Sequence, residues 1–230
     1  WVGNVSTGLG HCYRRATERG RPRSIEVTDH SNLSLALALH AGALGVPFLP
    51  IRSLFGSDIA AGSSRFRELA DPWGEDRLLA VRAIRPDVAI VAAQRADEGG
   101  NAHLWGNLGV SREAAAAADR VIVLAEEIVD TAPIRSDPNR VLVPGFEVSA
   151  VVASPGGCHP SPVQGRYRRD HRFYETYDRA TRDEDGFAAW IEKWVMGTED
   201  RTAYLRMLGD RWPRLQDLTA APAAPVDYGW

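Results

Sequence analysis

Three loops concentrate the residues that could do chemistry. They are Asp29-His30-Ser31-Asn32, Asp97-Glu98-Gly99-Gly100-Asn101 and Pro155-Gly156-Gly157-Cys158-His159-Pro160, and each follows a predicted strand. In the last two, glycine or proline fixes the backbone beside a polar side chain. Glycine lets main-chain N–H groups come close to a ligand, which suits an oxyanion or a phosphate. The competing reading of each loop is an ordinary turn, and composition alone leaves both open. A fourth candidate is the pair Glu126-Glu127, which closes a predicted strand at the carboxyl edge where open parallel sheets bind ligands. Successive side chains on extended backbone point to opposite faces, so one of the two can face a ligand. Its structural alternative is capping and dipole pairing with the next segment.

Several chemistries are excluded by what these residues are not. The six histidines (11, 30, 40, 103, 159 and 171) have no paired spacing of the HExxH kind, so metal catalysis is not expected. Gly8-Leu9-Gly10 falls short of a GxGxxG fingerprint, and Lys193, the only lysine, stands in a late helix and not in a phosphate-binding loop. A GxSxG nucleophile elbow is absent. An acid nucleophile or a binding role remains.

The elements that must position these loops alternate between helix and strand. Thr7 to Gly10 reads as a glycine-rich turn before a helix from His11 to Arg19, and Ser24 to Val27 as a strand. The apolar run Leu33–Leu44 predicts a helix with N-cap chemistry ahead of it and Gly45 at the C′ position. Val46–Ile51 is a short strand whose prolines suit an edge. The polar stretch 56–64 reads as a loop and 74–84 as a helix. Asp87–Val91 reads as a buried strand, and Ser111 is expected to cap a helix over 112–118. Arg120–Ala125, apolar after its first residue, is the clearest interior strand, and Val148–Ala153 forms another. Apolar strands alternating with helices predict an α/β fold: an open, mostly parallel sheet with helices on both faces. Further on, Phe187, Trp190, Ile191, Trp194 and Val195 recur at the spacing of one helix face, expected to pack on the domain or on a partner subunit. No internal repeat is found.

The 230 residues suit a single α/β domain over 1–219, with an Ala/Pro-rich tail at 220–230. The net charge of −3 gives no basic footprint for nucleic acid. No apolar run approaches the roughly 18 residues of a membrane helix. Arginine supplies nearly all the basic charge, which is associated with a GC-rich genome. Cys12 and Cys158 are expected to be free thiols of a cytoplasmic protein.

In order and spacing the motifs resemble the alpha subunit of family I CoA-transferases, of the glutaconate CoA-transferase type. The resemblance runs from Val2 to about Leu208. It is carried by Asp29 to Leu33 with the following helix, Gly42 to Pro50, Ala96 to Ala102, Ala118 to Val129, and Pro144-Gly145-Phe146 leading to Gly157 to Pro162. It implies an open α/β sheet, a partner beta subunit in a heterodimer or heterotetramer, and transfer of CoA from an acyl-CoA to a carboxylic acid. Coenzyme A thioester is then substrate, with no permanently bound cofactor. It further implies that the first βα units, with the family's Gly-Gly-Phe signature, precede Trp1. The family's glutamate motif reads roughly His-Ser-Glu-Asn-Gly, whereas the similar stretch here is His30-Ser31-Asn32-Leu33-Ser34. An amide cannot act as a carboxylate nucleophile, so the resemblance is to the subunit without the nucleophile, and the catalytic glutamate is expected on the partner. Ser31, Asn32, Gly100, Asn101, Glu126, Gly157 and His159 are then the pocket residues. A hydrolase or ring-opening subunit of the same fold and a non-catalytic scaffold subunit are the alternatives; Asn32 counts against the ring-opening type, which places a glutamate near this position.

Overall fold

A computed structural model describes residues 10–218, so the turn expected from Thr7 and the tail expected at 220–230 lie wholly or largely outside the described residues. The described chain forms two compact units, one of residues 28–153 and one joining residues 10–27 to residues 154–218. The helices are α1 (His11–Arg19), α2 (Asn32–Ala43), α3 (Asp58–Ala61), α4 (Ser111–Ala117), α5 (Thr131–Arg135), α6 (His171–Ala180), α7 (Glu184–Ile191), α8 (Arg201–Met207) and α9 (Arg211–Gln216). The strands are β1 (Phe48–Ile51), β2 (Phe66–Ala70), β3 (Arg77–Arg82), β4 (Val88–Ala93), β5 (Arg95–Ala96), β6 (Ala102–His103), β7 (Arg120–Ala125), β8 (Val141–Val143) and β9 (Ala150–Ala153).

The expected parallel sheet is β4-β7-β9, with β7 in the centre. Two small antiparallel sheets, β1-β3-β2 and β5-β6-β8, accompany it. Residues 89, 91, 93, 121, 123 and 125 point to one side of the parallel sheet and form the main core with Ala96, Ala102, Leu104, Ala115 and Val143. The opposite side is also apolar, yet Val88, Ile90 and Val152 are exposed there, Ile90 at 65%. β4 is therefore half-buried by alternation, where the sequence predicts a strand buried throughout.

Helix α2 begins as its sequence dictates. Ser31 is the N-cap, and its hydroxyl accepts the Ser34 N–H at 3.1 Å. At the other end Gly45 takes φ +71°, Val46 N–H bonds Ala41 C=O and Gly45 N–H bonds Gly42 C=O. That pair of bonds is the Schellman pattern, which needs a residue free to adopt positive φ. β1 is an edge strand, and Pro50 has no N–H to leave unpaired.

Four expectations change. The helix expected over 74–84 is strand β3. Asp71 to Asp76 closes a hairpin, with Asp71 N–H on Asp76 C=O and Trp73 N–H on the Asp71 carboxylate. β3 then pairs on both sides and turns Leu79 and Val81 into a second cluster with Ala38, Ile51 and Phe66. Ladder pairing overrides the helix preference of its leucines. Residues 24–27 form no strand and are exposed, without a ladder partner among the described residues. The loop at 56–64 contains the single turn α3, capped by Ser57. Ser111 is the first residue of α4 rather than its cap, and its side chain makes no capping bond there.

In the other unit, α1 is tied to the C-terminal end of α6 by His11–Asp178 at 2.7 Å and by Arg15 to the carbonyls of Thr181 and Arg182. The Trp190/Trp194 stripe packs inside this unit, with both rings edge-on to Phe173 at 5.1 and 4.9 Å. From Glu192 the helix widens into a π turn, with Gly197 N–H on Glu192 C=O. The wider winding carries Val195 off the stripe, and it is exposed. Cys12 and Cys158 both lie half-buried in this unit and are not joined by a disulfide.

Gly42 marks a tight contact between α2 and its neighbours. A Cβ there would lie 2.1 Å from the Ile84 carbonyl oxygen and 3.1 Å from Ala117 Cβ. Gly42→Ala is expected to destabilise the fold by about 1–3 kcal/mol, as overpacking against backbone does, despite alanine's better helix propensity. Urea denaturation checks this, and a variant as stable as the parent would show that α2 can move away from Ile84 at no cost.

Candidate functional site

The chain leaves β4 through Gln94, whose side chain donates to Trp105 C=O at 2.8 Å and accepts the Trp105 N–H at 3.3 Å. This reciprocal pair fixes where β5 starts and hence where the turn 97–101 falls. Within the turn Asp97 is 1% exposed. Its Oδ1 accepts the Asn101 N–H at 2.9 Å, and its two oxygens accept from Asn101 Nδ2 at 3.2 and 3.1 Å. Asn101 Oδ1 accepts the Gly145 N–H at 3.0 Å. Gly100 sits at φ +88°, where a side chain would also meet Val148 at 2.9 Å. Gly145 lies so close to Gly99 that a Cβ would come within 2.1 Å of the Gly99 carbonyl.

Between this turn and the start of β9 lies a cleft of about 370 Å³. Glu98, Gly99 and Gly100 form one wall; Val148, Ser149, Ala150 and Val151 form the other, with Ile128 between. The first wall follows β4 in the chain, but the second is level with Ile90 and Val91 in the middle of β4, so the cleft is not confined to the carboxyl edge where parallel sheets bind ligands. The second is made of the two residues before β9 and the first two residues of that strand. The cleft offers main-chain groups of a glycine turn, an aliphatic surface and the exposed carboxylate of Glu98. Ser149 Oγ is engaged by the Val121 N–H at 3.3 Å. No cation lines the cleft among the described residues.

The structure divides the seven expected pocket residues. Gly100 lines the cleft, and Asn101 braces it. Ser31 is a helix cap, and Asn32 stands exposed at the first position of α2. Glu126 follows β7, half-buried, with its N–H on Ala93 C=O, while Glu127 is exposed. Gly157 and His159 belong to the other compact unit. His159 is buried and both ring nitrogens are used, Nδ1 to Tyr204 Oη at 2.8 Å and Nε2 to Asp170 at 3.2 Å. Asp170 in turn caps α6 through the Phe173 N–H and meets Arg211. Sequence reading did not single out Glu98, Ile128 or the residues 148–151. Glu98 and Gly99 stand in a loop it had marked, but nothing local signals that residues 145–151 close over it.

Three buried or half-buried histidines share one electrostatic state. Burial lowers the pKa of His30, with Arg65 adding to the effect. Burial and then Arg95 lower that of His103. Burial lowers that of His159 against the pull of Asp170. For His103 the tautomer follows from its partners: Arg95 Nε donates to Nδ1 at 3.1 Å, so Nε2 carries the proton and donates to Ile134 C=O at 3.1 Å. Each folded-state pKa lies below the ordinary 6.5. The unfolded chain therefore binds protons first on acidification, and stability present above 6.5 is lost as pH falls through the folded values. Urea midpoints are expected to be level from about pH 8 to about pH 7 and to fall by about pH 5.5; a level profile down to that pH would show that these rings protonate without cost.

Residues 5–154 match the family described as Coenzyme A transferase. Over 200 residues the chain is 43% identical to one subunit of the 3-oxoadipate CoA-transferase of Pseudomonas knackmussii, covering 87% of this chain and 70% of that protein. The crystal structure of glutaconate coenzyme A-transferase from Acidaminococcus fermentans superposes with a TM-score of 0.84 at 30% identity, covering 95% of this chain and 74% of that one. The cholesterol ring-cleaving hydrolase IpdA subunit of Mycobacterium tuberculosis is 29% identical over 76% of this chain and 63% of its own length. With a mixed α/β fold, a glycine-walled cleft and these relatives, the chain belongs to the coenzyme A transferase family, and within it to the alpha subunits.

Proposed function

We propose that this chain is the alpha subunit of a two-subunit enzyme that moves CoA from an acyl-CoA to a free carboxylic acid, with the nucleophilic glutamate supplied by a beta subunit. The observation that carries the reading is the cleft: a glycine turn facing an aliphatic wall, in a chain whose His30-Ser31-Asn32 stretch holds an amide. Such a surface suits the neutral acyl and thioester part of a substrate better than a phosphate, since no cation lines it among the described residues. The partner's carboxylate attacks the thioester carbonyl and expels CoA thiolate, giving an acyl-glutamyl anhydride. The thiolate attacks the glutamyl carbonyl, releases the donor acid and leaves a glutamyl-CoA thioester. The acceptor carboxylate then reverses the sequence. Covalent catalysis of this kind splits one hard exchange into easier steps and conserves the acyl energy.

The test uses this chain co-purified with its beta partner, together with an acyl-CoA and labelled acetate. Label is expected in acetyl-CoA, and intact-mass analysis before acceptor is added is expected to find the CoA adduct on the partner. An adduct on Glu98, the carboxylate in this chain's own cleft, would move the nucleophile here. The likeness to IpdA favours one second reading, a hydrolase of acyl-CoA; free CoA without label transfer would establish it instead.

Asn32 is exposed and takes no part in capping α2, which Ser31 performs. Asn32→Ala is therefore expected to leave folding and assembly intact and to slow transfer about fivefold, the value of one neutral hydrogen bond to substrate. Full activity in this variant would remove Asn32 from the site.

A further inference from the structure

Asp97 is buried and, of the cleft loop's polar groups, touches only Asn101 by its side chain. A carboxylate accepts hydrogen bonds and donates none, whereas an amide does both from opposite ends. Facing Asp97, the Asn101 side chain must present its NH₂ group and turn its oxygen away. That oxygen meets the Gly145 N–H at 3.0 Å, across 44 residues of chain. Gly145 lies three residues before Val148, where the second cleft wall begins, and Gly100, in the first wall, is tied to Asp97 C=O at 3.0 Å. The two walls are thus joined by one polar chain, Asp97 to Asn101 to Gly145, at the point where Gly99 and Gly145 are in backbone contact.

We propose that Asp97 and Asn101 are positioning residues that set the spacing of the two cleft walls, with Asp97 fixing the orientation of the Asn101 amide. The inference rests on the cleft being the acyl-CoA site. Asp97 touches neither the cleft surface nor any reacting group; it acts through Asn101. The glycines make the clamp sensitive, because neither Gly100 nor Gly145 has room for a side chain that could hold the walls apart by other means.

The test is an exchange of the two groups in the chain co-purified with its partner. Asp97→Asn removes the constraint on the amide. Asn101→Asp sets two carboxylates against each other. The double exchange Asp97→Asn/Asn101→Asp restores a complementary pair, and its carboxylate still accepts the Gly145 N–H. Each single variant is expected to raise KM for acyl-CoA about tenfold or more, as loss of a charge-assisted hydrogen bond implies, with kcat changed only a few-fold. The double exchange is expected to return KM to within a few-fold of the parent. A parental KM in a folded single variant overturns the proposal. The double exchange is read in its own right should the single variants not fold: a raised KM in a folded double variant overturns the proposal as well. A parent complex that transfers no CoA would instead defeat the functional reading beneath it.

Discussion

Strand β7 constrains everything around it. After Arg120 it is wholly apolar, and it is hydrogen-bonded on both sides, in parallel, to β4 and β9. Its inward residues Val121, Val123 and Ala125 are no more than 1% exposed, and they face a layer made largely of alanine. Small side chains bring the layers close together, and close layers leave no room for a methylene more. The same economy of volume recurs where elements meet. α2 reaches Ile84 through Gly42, and the 97–101 turn reaches Gly145 through Gly99. The cleft exists because two segments far apart in sequence are drawn this near.

The buried histidines of both compact units are held by hydrogen-bond pairing. His103 accepts from Arg95 and donates to a carbonyl, and His159 bridges Tyr204 and Asp170. A neutral imidazole with both nitrogens bonded satisfies a buried site, where an ionised one would meet the full desolvation cost. For that reason His159, which sequence reading places in the pocket, is buried among Phe173, Tyr204 and Trp212. The loop dense in glycine and proline around it did mark a special backbone, but the residue that followed was recruited to a core.

What was legible in the sequence was local chemistry. Ser31 and Gly45 bracket α2 through caps that need only neighbouring residues. The apolar run of β7 could be nothing but an interior strand in this context. Gly100 and Asn101 announced a turn. Where partners lie far off, the sequence was silent or misleading. Leu78 and Leu79 favour a helix until β1 and β2 flank them. Ser24 to Val27 has strand composition but no ladder among the described residues. Asn101 carries no sign that its oxygen will meet Gly145, because the signal for that contact is a shape, formed only once both segments are packed.

The cleft's composition bears on the division of labour in the proposed reaction. Both covalent intermediates of such a transfer, the anhydride and the glutamyl thioester, are hydrolysed by water, so transfer over hydrolysis requires a dry site. The walls contributed by this chain include exposed Glu98 and Gly99, and an exposed wall cannot exclude water by itself. If the glutamate arrives on a second subunit, the group that attacks and the surface that closes the cleft come together in one docking event. A chain in this arrangement needs no nucleophile of its own; it needs a wall of fixed shape for the partner to close against. The buried Asp97–Asn101 pair and the glycine contacts beneath it are the features here that make a wall rigid. Under the same logic, loosening the wall would favour hydrolysis over transfer, because water would reach the covalent intermediates.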